Sequence, residues 1–336
     1  MLPGVPFIYL YDLLKRVLQA QNIASPMVYV NIFSNIIYLI VGYYLCFHTS
    51  LGFLGAAVSR TILNITCPII LLPYMIFSGL MTPIWTGFEY RKAFEGVHEF
   101  LVLGIPGMLQ LCFEWWAFEI IALLAGILPQ DPVAAIGSNA LMLNLSYATW
   151  TLYGGLSVAA NVRTGNALGA GSSTRAAVVW KVSLILSAAF SLLCSVFFLT
   201  FRTQLPYIFT HDKSIDSLAS SLIYVAAAFQ IVDSINASVQ GILRGSGRQI
   251  LGAKLNFLAY YAIGLPIGVV LASKFNLGVI GLWIGMTVGL TVTTIVGGYL
   301  VFNSNWAVLI LEAQHRTSGK GDLLHQHYTI LGDVPI

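Results

Sequence analysis

An all-α, polytopic membrane protein is the fold class this sequence predicts, and three observations predict it. Hydrophobic residues make up 57% of the 336, charged residues only 9%, and the mean hydropathy is +0.82, far from the roughly 25% charge of a soluble domain. Uncharged stretches repeatedly reach the ~20 residues that a helix needs to cross a hydrocarbon core. These stretches are continuous, and two to three times longer than the alternating segments of about ten residues that a membrane β-barrel would show.

The elements follow in chain order. Residues 5–19 form only a partial span, and the opening "MLPGVPFIYLYDLLKR" has no early basic segment or small-residue cleavage site and does not read as a signal peptide. Eight full spans are expected at 27–47, 51–76, 100–128, 133–160, 176–201, 215–241, 250–273 and 276–302. Pro106, with Gly104 and Gly107, removes a backbone hydrogen bond early in the third span and invites a kink there. The small-residue runs "GNALGAG" (165–171) and "GLPIG" (264–268) predict turns and close helix packing. The domain boundaries expected are 1–76 for the end of an N-terminal lobe, 77–99 for a cytoplasmic linker, 100–303 for a six-helix lobe, and 304–336 for a loosely ordered cytoplasmic tail.

Basic residues set the orientation. The loops on one side and the tail hold Lys15, Arg16, Arg91, Lys92, Arg163, Arg175, Lys181, Arg244, Arg248, Lys254, Arg316 and Lys320, against Arg202, Lys213 and Lys274 on the other. The richer side, with the C-terminus, is therefore expected in the cytoplasm. Arg60 is the exception, a cation inside a span that needs an acidic or carbonyl partner.

The chain also repeats itself. The segment beginning "RVLQAQNIASP" lies against the one beginning "GILRGSGRQIL" at an offset of 225, pairing Leu18 with Leu243 and Asn31 with Asn256; after a one-residue gap "LGFLG" (51–55) pairs with "LGVIG" (277–281). Both copies follow a basic-flanked loop on the same side, so the repeat is parallel. The second copy would own six spans and the first only its last two and part of a third, which predicts a chain truncated at its N-terminus.

Several functions are excluded. A net charge of +3, carried by membrane-proximal loops, offers no nucleic-acid surface. Cys46, Cys67, Cys112 and Cys194 lie within apolar spans without metal-ligand spacing, so no metal site is expected. No HExxH, GxSxG or paired intramembrane aspartate motif is present, and no glycine run precedes a Lys-Ser/Thr pair, which argues against an enzyme and against a phosphate loop. The glycosylation sequons at Asn64, Asn144 and Asn236 fall inside spans.

Only three acids lie well inside spans: Glu114, Glu119 and Asp233. An ionisable residue at mid-bilayer costs about 2.5–3.5 kcal/mol on insertion scales, so it faces a cavity or a partner and is a functional candidate by default. Glu114 and Glu119 differ by about 140° around a helix and cannot share a face. Asn139, Asn144, Gln230, Asn256 and Tyr260 are the further polar candidates for a cavity, and Trp115 and Trp116 beside the acid suit a flat or quaternary cation. A proton and an organic cation would compete for Glu114.

Five segments, "RVLQAQNIASP", "LCFEWWAFEI" (111–120), "NVRTGNALGAG" (161–171), "GILRGSGRQ" (241–249) and "NFLAYYAIGLPIG" (256–268), resemble in order and spacing the eukaryotic multidrug and toxic-compound extrusion (MATE) transporters. The resemblance implies two six-helix lobes around a cavity and exchange of protons for organic cations, xenobiotics or secondary metabolites. It implies that Glu114 carries coupling, with Asp233 and Glu119 at the family's other acidic positions. No cofactor beyond the proton gradient is implied; the partners are a small cationic or amphipathic substrate and the lipid bilayer, in the plasma or vacuolar membrane, and a full-length protein is expected to be monomeric. The alternatives are a non-transporting truncated product and a lipid-linked glycan flippase. A flippase calls for a strongly basic cavity, whereas these spans hold three acids against one arginine.

Overall fold

The computed structural model describes residues 2–81, 87, 94, 97–128 and 131–318, and every regular element among them is helical. Arg91, Lys92 and Lys320, most of the expected 77–99 linker, and the tail from 319 lie outside the described residues. The chain forms two compact units, Met1–Glu95 and Gly96–Ile336.

The first unit holds α1 (Val5–Ala20), α2 (Ser25–Phe47) and α3 (Phe53–Phe77). Proline in the first turn starts α1 and α2, where a missing N–H costs nothing. The end of α1 is closed by Asn22 at φ 60° and by the Ile23 amide donating to the Leu18 carbonyl, which satisfies an orphan acceptor. Leu18, Leu71 and Met75 are fully enclosed and anchor the apolar core of this unit.

The second unit contains α4 (Val97–Ile127), α5 (Pro132–Gly169), α6 (Ser173–Thr200) and α7 (Lys213–Gly245). It continues with α8 (Gln249–Phe257), α9 (Leu265–Ser273), α10 (Gly278–Phe302) and α11 (Trp306–Ser318). Side-chain caps place three of the starts: Asp131 accepts from the Val133 amide at 3.0 Å, Ser172 from Arg175 at 3.3 Å and Asp212 from Ser214 at 2.8 Å. Those bonds to Ser214 hold the Asp212 carboxyl below its usual range. The core packs α5, α6 and α10 around α7, with Phe229, Trp283 and Met286 at its centre. Serines of α6 tie to α7: Ser195 donates to the Ala227 carbonyl at 2.6 Å, and Ser234 donates back to the Ser187 carbonyl at 3.1 Å.

Seven of the described helices are long and apolar enough to cross a membrane, not eight. The helix over the expected 133–160 span is α5, whose 38 residues exceed the length needed. It buries Ser138, Asn139, Ser146, Thr149, Ser157 and Thr164, and this polar inward stripe lowers its hydropathy. Pro106 does not interrupt α4, which runs through it unbroken. The "GLPIG" run is not a turn: α8 passes into α9 through a π-helical segment, Leu258–Gly264, just before Pro266, whose missing N–H favours such an irregularity. Its glycines do pack closely, since a Cβ on Gly268 would meet the Leu282 carbonyl oxygen at 3.1 Å. The tail expected to be loose begins instead with α11, which buries Leu309 and Ile310 against Ala167, Leu168 and Ala176.

The repeat has a counterpart in the helix boundaries. Phe53–Phe77 and Gly278–Phe302 are both 25 residues long and begin within one residue of the repeat register at this point, which the gap has moved by one position. The turn glycines Gly52 and Gly278 both have positive φ, 49° and 56°. A Cβ on Gly55 would lie 2.7 Å from the Leu45 carbonyl carbon, and one on Gly281 would lie 2.8 Å from that of Leu271. In each unit the LGxxG turn thus brings two backbones together at the same step of the hairpin.

Candidate functional site

In the second unit, α4, α5 and α7 border an open cleft lined by Glu114, Trp115, Phe118, Leu143, Ser146, Tyr147, Trp150 and Asp233. Helical phase places the lining. On α4, Phe118 lies one turn beyond Glu114, and on α5 residues 143, 146, 147 and 150 repeat at the three-to-four spacing of a single face. The Trp115 ring stacks on Tyr147 at 5.7 Å and meets Trp150 edge-on at 6.2 Å, so two aromatic walls stand beside the Glu114 carboxyl.

Asp233 is 5% exposed, and its Oδ2 accepts a hydrogen bond from the Tyr153 hydroxyl, itself fully enclosed on α5. Glu114 is half-buried and lies within Coulombic range of Asp233, with Arg244 as the cation that acts on it. Arg244, in the last turn of α7, donates to the Ser157 hydroxyl at 2.9 Å. The cleft is thus an acidic, aromatic-walled recess in which one carboxyl is tied to a phenol and the other is open to a ligand. A small cation with apolar substituents matches both features, charge against the acids and ring faces against its surface.

The other residues singled out in the sequence lie elsewhere, each for a physical reason. Trp116 is rotated by about 200° from Glu114 and is 59% exposed on the outer face of α4. Glu119 is likewise exposed and lines no part of the cleft. Asn139 is committed to the core, its Oδ1 accepting from the Trp283 indole at 2.9 Å. Asn144 is exposed and donates to its own helix at the Ala140 carbonyl, 2.8 Å away. Gln230 is wholly buried, one turn before Asp233, with no partner for either amide atom among the described residues. Tyr260 is wholly buried on the π-helical segment, its ring 6.4 Å from Phe118 and its hydroxyl likewise unpartnered among the described residues.

Asn256 closes a buried amide ring that fastens α4, α7 and α8 together. Gln110 donates to the Gln240 side-chain carbonyl, Gln240 donates to Asn256 Oδ1 at 2.7 Å, and Asn256 donates to the Gln110 backbone carbonyl at 2.9 Å. Its loss strands the buried Gln240 amide donor, at about 1–3 kcal/mol, while the Gln110 carbonyl keeps its bond within α4. Asn256→Leu is therefore expected to lower stability by about 1–3 kcal/mol, read as a drop in the thermal unfolding midpoint in detergent. Asn144→Leu, which breaks only an exposed local bond, should leave that midpoint within a degree or two.

Sequence reasoning missed Tyr147, Trp150 and Tyr153. The signal was present: in "YATWTLY" the three aromatic residues recur at every third position, which puts them on one side of a helix, and that side continues to Ser157.

The MatE family model matches residues 106–270. Multidrug and toxin extrusion protein 1 of Mus musculus is 35% identical over 313 residues, 93% of this chain and 54% of its own length; the Homo sapiens protein of that name is 32% identical with the same coverage. The chain thus spans about half the length of the curated relatives it matches. Among solved structures, the eukaryotic MATE transporter AtDTX14 matches with a TM-score of 0.87 at 30% identity, covering 94% of this chain and 70% of that one. The Vibrio cholerae MATE transporter VcmN, as its D35N mutant, shares the fold at a TM-score of 0.81 and 17% identity.

Proposed function

This chain belongs to the multidrug and toxic-compound extrusion family, and from that premise we propose that it carries the substrate and coupling site of a proton-coupled antiporter that exports organic cations, xenobiotics or secondary metabolites. The observation that carries the proposal is the convergence of Glu114 and Asp233 on one cleft walled by Trp115, Tyr147 and Trp150. Arg244 offsets only one of the two negative charges in this recess of low dielectric, so the second is relieved by a proton or by an organic cation, which satisfy the same requirement and exclude one another. That exclusion is the core of an exchange cycle.

The polarity of the cleft supports a cation over an anionic or glycan substrate, because its lining among the described residues includes two carboxylates and no basic residue, with Arg244 standing outside that lining. The plasma membrane or the vacuolar membrane, with the C-terminus in the cytoplasm, is the setting proposed, the orientation resting on the loop distribution of lysine and arginine.

Reconstitution of the chain into liposomes tests the reading. With an imposed pH gradient, tetraethylammonium is expected to exchange against protons above the level of protein-free liposomes, and collapse of the gradient should stop it. Tetraethylammonium movement no greater than in protein-free liposomes would refute transport by this chain.

A further inference from the structure

We propose that the first unit holds a separate binding site for an oxyanion of phosphate chemistry, centred on Arg60; the proposal stands apart from the transport reading. An open cleft lies within this unit, lined by Ile8 and Tyr11 of α1, Asn31 and Asn35 of α2, and Arg60, Leu63, Asn64 and Cys67 of α3. The three helices each turn one face to it: 8 and 11, 31 and 35, and 60, 63, 64 and 67 follow helical spacing.

Arg60 sits about 10 Å along α3 from Phe53, at 1.5 Å per residue, on a helix apolar enough to span a membrane, with its side chain exposed at the cleft. A guanidinium at such a position demands a counter-charge or several acceptors. The acidic or carbonyl partner expected from the sequence is absent: among the described residues Arg60 makes no hydrogen bond or ion pair. Among the described residues no carboxylate lines the cleft, and Asp12, the acid nearest along α1, is taken by Lys15.

The other polar lining residues bring donors. The Tyr11 hydroxyl and the Asn64 amide add O–H and N–H groups to the five of Arg60, whereas the Asn31 amide is engaged with the Tyr11 oxygen and the Asn35 amide with the Asn31 backbone carbonyl at 2.8 Å. Arginine with neutral donors around it, and no acid, is the chemistry that recognises a phosphate oxyanion. Hairpin packing does not call for the arginine either. The second unit builds the same LGxxG hairpin with Gly285 or Met286 at the repeat position of Arg60.

Such an oxyanion comes either free or on a lipid headgroup, and the experiment separates the two. The purified full chain in neutral detergent is titrated with inorganic phosphate, with phosphatidylglycerol, and with zwitterionic phosphatidylcholine as the control, and the thermal unfolding midpoint is followed. Binding at a concentration about a hundredfold above Kd is expected to raise the midpoint by about 3–5 °C. A response to phosphate assigns a soluble ligand; a response to phosphatidylglycerol alone assigns a lipid.

In either case Arg60→Gln should abolish the shift, Arg60→Lys should retain part of it, and Glu114→Gln should leave it whole. Asn64→Leu, which removes a donor without touching charge, should weaken it and serves if Arg60→Gln does not fold. No shift with either anion, or a shift unchanged in Arg60→Gln and Asn64→Leu, overturns the proposal.

Discussion

Glu114→Gln is expected to reduce tetraethylammonium exchange to the level of protein-free liposomes, with the protein still folded. Glutamine keeps the size and polarity of the side chain and removes only the ability to release a proton and carry charge. A unit charge pair at about 4 Å is worth about 4 kcal/mol at an effective dielectric near 20. After desolvation of the cation, a loss of tetraethylammonium affinity on the order of a hundredfold remains. Asp233→Asn should also impair exchange but cost less affinity, because one Asp233 oxygen is already occupied by the Tyr153 hydroxyl. Glu119→Gln should stay within about twofold of the parent, since that side chain is exposed and outside the cleft. The measurement is a set of exchange assays and equilibrium tetraethylammonium titrations on all three variants. Equal losses in Glu119→Gln and Glu114→Gln would break the link between the cleft and transport.

Much of this architecture was legible in the residues, because membrane helices announce themselves by length and apolarity, and an intramembrane acid is rare enough to stand out. Glu114 and Asp233 were found that way, 119 positions apart, and the fold brings them into one recess. What composition could not show was which polar groups are structural. Asn139, Asn256 and Gln230 look like cavity residues from hydropathy alone, yet two of them bond across helices and the third is enclosed. An amide in a bundle satisfies either use equally well, and only its partner decides. The aromatic wall of α5 was hidden for the opposite reason. Tyrosine and tryptophan are ordinary in membrane helices, so their threefold spacing carries information only once a face is assigned. The polar stripe of α5 misled in a third way, by making a 38-residue helix less apolar than its neighbours.

The position of the acids rests in turn on a place where side chains are absent. Gly241 and Gly245 lie one turn apart on α7; a Cβ on the first would collide with the Ser157 backbone oxygen, and one on the second with that of Asn161, one turn further on α5. Two successive turns of each helix therefore touch backbone to backbone, the small-xxx-small geometry of membrane helix pairs. Asp233 lies two turns before Gly241, and Tyr153 one turn before Ser157, so the same contact sets the distance across which the phenol reaches the carboxylate. Gly241→Val and Gly245→Val are each expected to destabilise by about 1–3 kcal/mol or more through overpacking, and to lose exchange activity in whatever fraction folds. Gly155→Ala on α5 supplies the contrast, because nothing lies within 4 Å of its Cβ direction. There the gain in helix propensity, about 0.5–1 kcal/mol, should raise the unfolding midpoint slightly. A Gly241→Ala variant as stable as Gly155→Ala would show that α5 and α7 part at little cost, and that the pairing of Tyr153 with Asp233 is held by something other than this glycine contact.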